Sequence, residues 1–111
     1  MEDKKFIIKN INNIKNIYVA IDDIYCEESL LETIILFNDG TKKSLFISWD
    51  ENGDYSFISN ENNEEERDEE YEIINNYEKS CIDFKDKKIS FEKMKEAIKT
   101  YCKSMIDFIN K

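Results

Sequence analysis

Apolar and polar residues alternate along the first half of the chain in the pattern that is typical of β-strands. Ile17, Val19 and Ile21 are separated by single residues, and this run reaches Tyr25. A predicted turn at 27–29 leads to a second run, over 30–37, which is rich in β-branched and aromatic residues. The pattern therefore predicts two strands before residue 38.

Two dipeptides predict hairpin turns after these strands, and they contain both glycines of the protein. Asp39-Gly40 precedes an alternating run over 42–49, and Asn52-Gly53 precedes a shorter run over 55–59. Such pairs are favoured in two-residue hairpin turns, in which both positions need a positive φ. We therefore predict a four-stranded antiparallel meander over residues 16–59.

Residues 4–15 fit two different structures. Ile7, Ile11 and Ile14 recur at helical spacing, but the four asparagines between residues 10 and 16 are poor helix formers. A strand over 6–9 is the alternative, and it would extend the sheet to five strands. The sequence leaves both structures open.

The second half of the chain has helical periodicity. Ser90 is a favourable N-cap, and apolar residues recur after it at spacings of three and four as far as Phe108. This predicts a long helix over 91–110 that packs across the sheet. A shorter helix is predicted over 67–80, between an acidic loop at 60–66 and a lysine-rich link at 85–88. The inward residues of the shorter helix are predicted to be Tyr71, Ile74, Tyr77 and Cys81.

Together these elements predict an α+β fold in one domain that spans residues 1–111. A chain of 111 residues has room for one core, and 41% hydrophobic residues are enough to build it. The predicted architecture is an antiparallel sheet followed by two helices.

The composition argues against catalysis. The chain has no histidine, which is the commonest general base and metal ligand, and one arginine, Arg67. A bidentate clamp for phosphate is therefore unavailable, and no glycine-rich loop or nucleophile motif is present. We expect a protein that is not an enzyme and that needs no cofactor or metal.

Three features indicate the cytoplasm of a bacterium. Cys26, Cys81 and Cys102 are too few and too scattered for a disulfide framework. No apolar run is long enough to span a bilayer or to form a signal peptide. Heavy use of Ile, Asn and Lys indicates an AT-rich genome, bacterial or phage, which the coding sequence would test.

The net charge of −9 is concentrated in one segment. Residues 50–78 carry twelve acids and one base, a net charge of −11, whereas the rest of the chain carries 13 acids and 15 bases, a net charge of +2. Like charges this close repel one another, so a binding partner would relieve the repulsion. We define the acidic band as the predicted partner-binding residues of this segment. They are Asp50, Glu51, Asp54, Glu61, Glu64, Glu65, Glu66, Asp68, Glu69, Glu70 and Glu72.

A calcium loop is the alternative interpretation of part of the acidic band. Asp50, Asn52, Asp54 and Glu61 have the spacing of calcium ligands. However, Tyr55 stands where such a loop requires glycine, and the flanking runs are predicted strands rather than helices. A hairpin turn explains the same residues, so we predict no metal site.

We expect the acidic band to bind a basic surface of another protein, either a nuclease or a nucleic-acid-guided effector. An ordered row of carboxylates is similar to the charge array of a nucleic-acid backbone. The protein would then inhibit its partner without binding nucleic acid or membrane itself. Its size, acidity and lack of catalytic groups resemble those of nuclease-toxin immunity proteins and of phage anti-CRISPR or anti-restriction proteins.

The second hypothesis is a structural or regulatory subunit that binds through its sheet face or an edge strand. Such a subunit could associate with a second copy of itself. The contact would use the strand face that carries Phe46, together with Tyr55 or Phe57. Neutralising the acidic band would leave this contact unchanged, which separates the two hypotheses.

Overall fold

The computed structural model describes residues 2–24, 28–60 and 62–111, and it has an α+β architecture. Its three strands form one antiparallel sheet in the order β1-β2-β3. The predicted class, an antiparallel sheet followed by two helices, is confirmed at this level. The predicted strand end at Tyr25 and the first turn residue, Glu27, lie outside the described residues. The elements are α1 (Glu2–Lys9), a 3-10 turn (Ile11–Asn13), β1 (Ile14–Ile24), β2 (Glu28–Phe37), β3 (Lys42–Asp50), α2 (Glu64–Lys85) and α3 (Phe91–Ile109).

The predicted fourth strand, over 55–59, is not part of the sheet. A single bridge joins Tyr55 to Trp49. Beyond it, the backbone N–H groups of Ile58 and Ser59 each donate to the carboxylate of Glu70 on α2, at 2.9 Å. Because these N–H groups pair with α2 rather than with β3, the segment follows the helix. The prediction of four strands is corrected to three.

Residues 2–9 form a helix, which decides between the two structures predicted for this region. α1 buries Ile7 completely. The ring of Phe6 packs edge-on against Phe37, with 5.2 Å between ring centroids. The side-chain amide of Asn10 donates to the Phe6 carbonyl at 2.9 Å and closes the end of the helix. The alternative strand over 6–9 is wrong, and β1 begins at Ile14.

Each predicted hairpin turn forms around its glycine. The φ angle is +90° at Gly40 and +84° at Gly53, a region that glycine adopts without strain. At the first turn the Gly40 N–H donates to the Phe37 carbonyl, and the Phe37 N–H donates to the Thr41 carbonyl. This is a type I turn followed by a left-handed glycine, the three-residue hairpin arrangement. One position of each turn therefore has a positive φ, where a two-residue turn would need two.

α2 is longer at both ends than the predicted helix over 67–80. The side chain of Asn63 accepts the N–H of Glu66 at 3.1 Å and caps the start. At the other end the Lys88 N–H donates to the Asp83 carbonyl at 2.7 Å, while Lys87 has a φ of +62°. This is a Schellman motif with lysine in the left-handed position that glycine usually occupies. The absence of glycine there hid the end of the helix from sequence inspection.

α3 agrees with its prediction to within one residue. The Ser90 hydroxyl accepts the Lys93 N–H at 3.1 Å, as expected of the N-cap, and the helix ends at Ile109. Among the described residues, no helix combines the length and the apolar character that crossing a bilayer requires.

The helices pack on one face of the sheet and form a single core with it. Of the four α2 residues predicted to point inward, Ile74, Tyr77 and Cys81 are buried, whereas Tyr71 is 50% exposed. The sheet contributes Ile14, Ile17, Leu31, Ile35, Phe37, Leu45 and Ile47. The helices contribute Ile7, Ile74, Tyr77, Cys81, Met94, Ile98, Tyr101, Cys102 and Met105.

A hydroxyl pair lies at the centre of this core. Thr33 on β2 is completely buried, and its hydroxyl accepts a hydrogen bond from the Tyr77 hydroxyl at 2.7 Å. The Thr33 hydroxyl also lies 3.4 Å from the sulfur of Cys81. The ring of Tyr77 stacks on Tyr101, with 4.1 Å between centroids. These contacts join both long helices to the middle strand.

The opposite face of the sheet points away from the core, and we call it the outer sheet face. Strand register places Tyr18 beside Ile34, and Phe46 beside Glu32, on this face. Tyr18 is 54% exposed and Phe46 is 53% exposed. The alternation predicted for β3 is therefore confirmed, since Leu45 and Ile47 on either side of Phe46 are buried. In β1 it holds at Ile17, which is buried beside exposed Tyr18, but not at Ile21, which is 38% exposed.

Candidate functional site

The acidic residues of α2 begin at its first turn. Glu64, Glu65 and Glu66 lie there, directly after the Asn63 cap. Carboxylates in this position interact favourably with the partial positive charge of a helix N-terminus. That attraction offsets part of their mutual repulsion, so the helix begins inside the segment for which an acidic loop was predicted.

Five exposed carboxylates occupy the first three turns of α2, and we call them the α2 acidic face. At about 1.5 Å per residue, residues 64–72 span about 12 Å, which gives one exposed carboxylate per about 2.4 Å. Duplex DNA carries one phosphate charge per about 1.7 Å of its axis, a comparable density. The α2 acidic face consists of Glu64, Glu65, Glu66, Asp68 and Glu72.

Arg67, the one base among residues 50–78, is turned away from the α2 acidic face. Its guanidinium lies over the ring of Phe57, at 4.4 Å from the ring centroid. One of its terminal nitrogens donates to the Ser59 carbonyl at 3.3 Å. Arg67 therefore anchors the segment over 57–59 to α2, and it leaves the exposed carboxylates without a cationic neighbour from their own segment.

Glu70 is not on the surface, although it belongs to the acidic band. Its side chain is 1% exposed, and its two oxygens accept the N–H groups of Ile58 and Ser59. A carboxylate is well suited to this position because it accepts several hydrogen bonds at once. We therefore remove Glu70 from the predicted partner-binding residues, since its carboxylate holds a loop instead of facing solvent.

The acids at the second hairpin turn form a separate group beside the middle of α2. The Asp50 carboxylate accepts the N–H groups of Asn52 and Asp54 at 2.9 and 3.0 Å, which stabilises the turn. All three acids, Asp50, Glu51 and Asp54, are exposed.

Tyr55 positions this turn relative to the helix. Its hydroxyl donates to the Asn75 side chain at 3.3 Å, and its ring contacts Tyr71, with 5.6 Å between centroids. Burial raises the pKa of Tyr55, and the nearby Glu78 carboxylate raises it further, so the hydroxyl keeps its proton. Asn75 follows Glu65 by ten residues, or about 15 Å of helix. The structure thus divides the described exposed acids of the acidic band into two groups, one at the start of α2 and one at the second hairpin turn.

Two residues of the acidic band remain. Glu69 is intermediate in exposure and its carboxylate pairs with the Lys111 ammonium. Glu61 lies outside the described residues.

Glu69 also borders a groove between α2 and α3 that the sequence did not predict. The groove has a volume of about 460 Å³, and Glu72 and Asp107 line it as well. Asp107 comes from the last turns of α3, 38 residues after Glu69 in the chain, and only antiparallel packing of the two helices brings them together. The sequence contained one signal of this groove, a row of small residues on α3 that includes Ala97 and Ser104.

The described residues offer little for metal or thiol chemistry. They contain no group of three or more His, Cys, Asp or Glu side chains that could hold a metal ion. Asp50 and Asp54, two positions of the calcium-like spacing, lie in a hairpin turn. Burial raises the pKa of Cys81 to about 11 and that of Cys102 to about 12, so both thiols stay protonated near neutral pH. Cys26 lies outside the described residues.

Comparison of this chain with known proteins gave no match to a family model, to a curated protein or to a solved structure.

Proposed function

We propose that the protein is an acidic inhibitor that occupies a basic, nucleic-acid-binding surface of another protein. The α2 acidic face is the observation that carries this proposal. It presents five exposed carboxylates on about 12 Å of rigid helix. A partner that holds phosphates with rows of lysine and arginine would find charges of the same sign and similar spacing here.

Inhibition of this kind needs no catalytic group, which agrees with the composition of the chain. It needs charges that are ordered before binding, because ordering them during binding costs free energy. Helix α2 fixes the backbone positions of the first group of acids, and the contacts of Tyr55 with Asn75 and Tyr71 connect the hairpin turn that carries the second group to the same helix.

Two kinds of partner fit the same physical description. One is a nuclease toxin, for which this chain would be an immunity protein. The other is a restriction enzyme or RNA-guided nuclease, for which it would be an inhibitor of phage origin. The concentration of charge on one helix favours the second kind, because a nucleic-acid groove is a long, continuously basic surface.

The experiment measures nucleic-acid cleavage by a panel of nuclease toxins, restriction enzymes and RNA-guided nucleases in the presence of the protein. Displacement of a labelled DNA or RNA duplex is measured for any enzyme that is inhibited. We expect inhibition to weaken as salt rises from 50 to 500 mM, because the Debye length falls to a few ångströms over this range. Displacement of the labelled duplex by the protein is the second expected result.

A charge-matched pair of variants tests whether the α2 acidic face is responsible. The test variant carries Glu64→Gln, Glu65→Gln and Asp68→Asn. The control also neutralises three exposed acids, one of them an aspartate, at positions away from the acidic band. It carries Glu2→Gln, Asp86→Asn and Glu96→Gln.

We expect the test variant to lose at least tenfold in inhibitory potency and the control to stay within threefold of the parent. Equal losses would mean that net charge alone matters, and they would contradict the proposal. Full potency in the test variant would also contradict it. Circular dichroism and a melting curve establish that both variants are folded before potency is compared.

The outer sheet face supports a second candidate function, as an interaction subunit that pairs with a second copy of the chain. Half-exposed Tyr18 and Phe46 lie on this face beside Ile34. Lys42 lies at one end of this face, on β3, and Asp22 lies at the other end, on β1.

The size of the face predicts that such a dimer is weak. Three strands of about nine residues cover roughly 15 by 30 Å, or about 450 Å². Stable interfaces bury about 800 Å² on each partner. We therefore expect self-association only at high protein concentration.

Analytical ultracentrifugation over a hundredfold concentration range tests the second candidate. We expect Phe46→Lys to abolish any dimer, whereas Ile58→Lys should leave it unchanged. Ile58 is a matched control because it is an apolar residue, 61% exposed, that lies outside the sheet. A monomer at every concentration would rule out self-pairing without affecting the inhibitor proposal.

A further inference from the structure

The groove between α2 and α3 is polar at its rim and aromatic at its base. Tyr101 lines it together with Tyr77, and the two rings are stacked with an interplanar angle of 14°. Ala97, Thr100 and Ser104 line the α3 side, and their small side chains leave the space open. Larger residues at these positions would close the groove, so its volume follows from the sequence of α3.

The charge of the groove is concentrated at one end. Because α3 runs antiparallel to α2, Asp107 lies at the same end as Glu69 and Glu72. The carbonyl groups at the C-terminus of α3 add partial negative charge there, and α3 has no basic residue in its last turn. A cation at this end would meet three carboxylates.

The structure contains one example of such a cation. Lys111 reaches back along the helices, and its ammonium pairs with the Glu69 carboxylate while lying 6.0 Å from the centroid of the Phe108 ring. The Lys111 side chain remains 57% exposed, so the contact lies at the rim and leaves the groove itself open.

We infer that this groove receives an arginine or lysine side chain of the basic partner. The apolar stem of that side chain would lie along Tyr101, and its charged end would reach Glu72 and Asp107. Buried anchors of this type carry much of the free energy of a protein interface. The inference rests on the proposed function, and it adds a specific anchor to the general attraction of the α2 acidic face.

Lys111 takes a defined part in this arrangement. It satisfies Glu69 in the free protein, and an incoming cation would compete with it. Removing the Lys111 ammonium should therefore strengthen binding at the groove. Removing an exposed lysine elsewhere on α3, such as Lys103, should have a smaller effect.

The experiment uses the full chain, labelled with ¹⁵N, and two peptide probes. These are acetyl-Gly-Arg-Gly-Arg-Gly-amide and its lysine analogue, and the chemical shifts of backbone amides are followed during titration. We expect the largest shifts at Thr100, Ser104 and their neighbours. The difference in affinity between the peptides shows whether the groove prefers a guanidinium or an ammonium.

Two pairs of variants separate a specific groove from a diffuse negative charge. Glu72→Gln lies in the groove, whereas Glu2→Gln lies at an exposed position on α1, outside both the groove and the acidic band, and both remove one negative charge. We expect at least a fivefold loss of peptide affinity for the first and less than twofold for the second. Lys111→Gln should raise the peptide affinity about threefold, and the factor by which Lys103→Gln raises it should be less than half as large.

Filling the groove without changing its charge gives an independent check. Thr100→Leu places a larger side chain at an exposed position that lines the groove, and we expect a loss of at least fivefold. Equal effects of Glu2→Gln and Glu72→Gln, or normal affinity in Thr100→Leu, would overturn the inference. The proposed function would survive that outcome if inhibition still depended on Glu64, Glu65 and Asp68.

Discussion

Replacing Glu70 tests whether a carboxylate inside the acidic band is structural. Glu70 is 1% exposed, and its oxygens accept the N–H groups of Ile58 and Ser59 at 2.9 Å each. Glu70→Ala removes both acceptors, whereas Glu70→Gln keeps the shape of the side chain and one good acceptor. We expect both variants to be less stable than the parent protein, and the alanine variant to be the less stable of the two.

The magnitude follows from these hydrogen bonds. A hydrogen bond to a charged group contributes roughly 1.5–3 kcal/mol, so two of them contribute about 3–6 kcal/mol. Ile58 is 61% exposed, which lets water reach part of the loop once the carboxylate is gone. We therefore expect a loss near the lower limit, about 3 kcal/mol for Glu70→Ala and about 1–2 kcal/mol for Glu70→Gln. For a domain of this size, about 3 kcal/mol lowers Tm by roughly 12 °C.

Urea unfolding followed by tryptophan fluorescence measures these losses. Glu65→Gln is the matched control for Glu70→Gln, because it makes the same chemical change on the exposed side of the same helix. We expect the control to unfold within 0.5 kcal/mol of the parent, the usual range of a surface substitution. If Glu70→Gln were as stable as Glu65→Gln, the carboxylate would not be holding the loop, and our account of the missing fourth strand would fail.

Three further predictions concern the core and one helix end. Thr33→Val should lower the free energy of unfolding by about 1–2 kcal/mol, because the Tyr77 hydroxyl loses its acceptor. Adding Tyr77→Phe to this variant should lower the free energy of unfolding only slightly further. Fully additive losses in urea unfolding would contradict the hydrogen bond between the two hydroxyls. The pKa of the buried thiols rises on folding from 9.0 to about 11 for Cys81 and to about 12 for Cys102. Their contribution to the stability of the folded protein is therefore complete below pH 9 and is lost as the pH rises. The two thiols should therefore account for a fall in stability of about 2–3 kcal/mol between pH 8 and pH 10, and alanine at both positions should remove that part of the decline. Lys87→Gly should raise the free energy of unfolding by about 0.5–1 kcal/mol, and Tm with it, because glycine adopts the left-handed φ at this position without strain. Lys88→Gly is the control, and an equal gain in that variant would refute the reasoning.

The elements with strong periodicity could be predicted from the sequence. α3 combines an N-cap serine with an apolar stripe of about five turns, and both its ends were correct to within one residue. The strands over 17–25 and 42–49 were predicted because large apolar residues recur at every second position, as Ile17, Val19 and Ile21 do in the first and Leu45, Ile47 and Trp49 in the second. In each case local propensity and tertiary packing favour the same structure.

The segment over 55–59 was wrongly predicted as a strand of the sheet because half-buried and exposed residues do alternate along it. The cause of that alternation differs from the one that the prediction assumed. Tyr55, Phe57 and Ser59 are half-buried, whereas Ser56 and Ile58 are exposed. Apart from the single bridge between Tyr55 and Trp49, that alternation arises from packing against Tyr71 and Arg67 on α2. A period of two shows that one side of an extended segment is covered, but it does not show what covers it.

The acidic band raises a related difficulty, and the position of Glu70 shows how it can be overcome. A cluster of glutamates gives no sign of which member is buried, because composition treats all of them alike. Periodicity does distinguish them: counting back from Cys81, Tyr77 and Ile74 at helical spacing reaches position 70, so the buried stripe of α2 passes through the acidic band. A charged residue on a buried stripe must have partners, and here they are the loop N–H groups. Position on the stripe thus identifies the carboxylate that is buried, whereas the roles of Glu69, which pairs with Lys111, and of Asp50, which accepts two N–H groups of its turn, appear only in the structure.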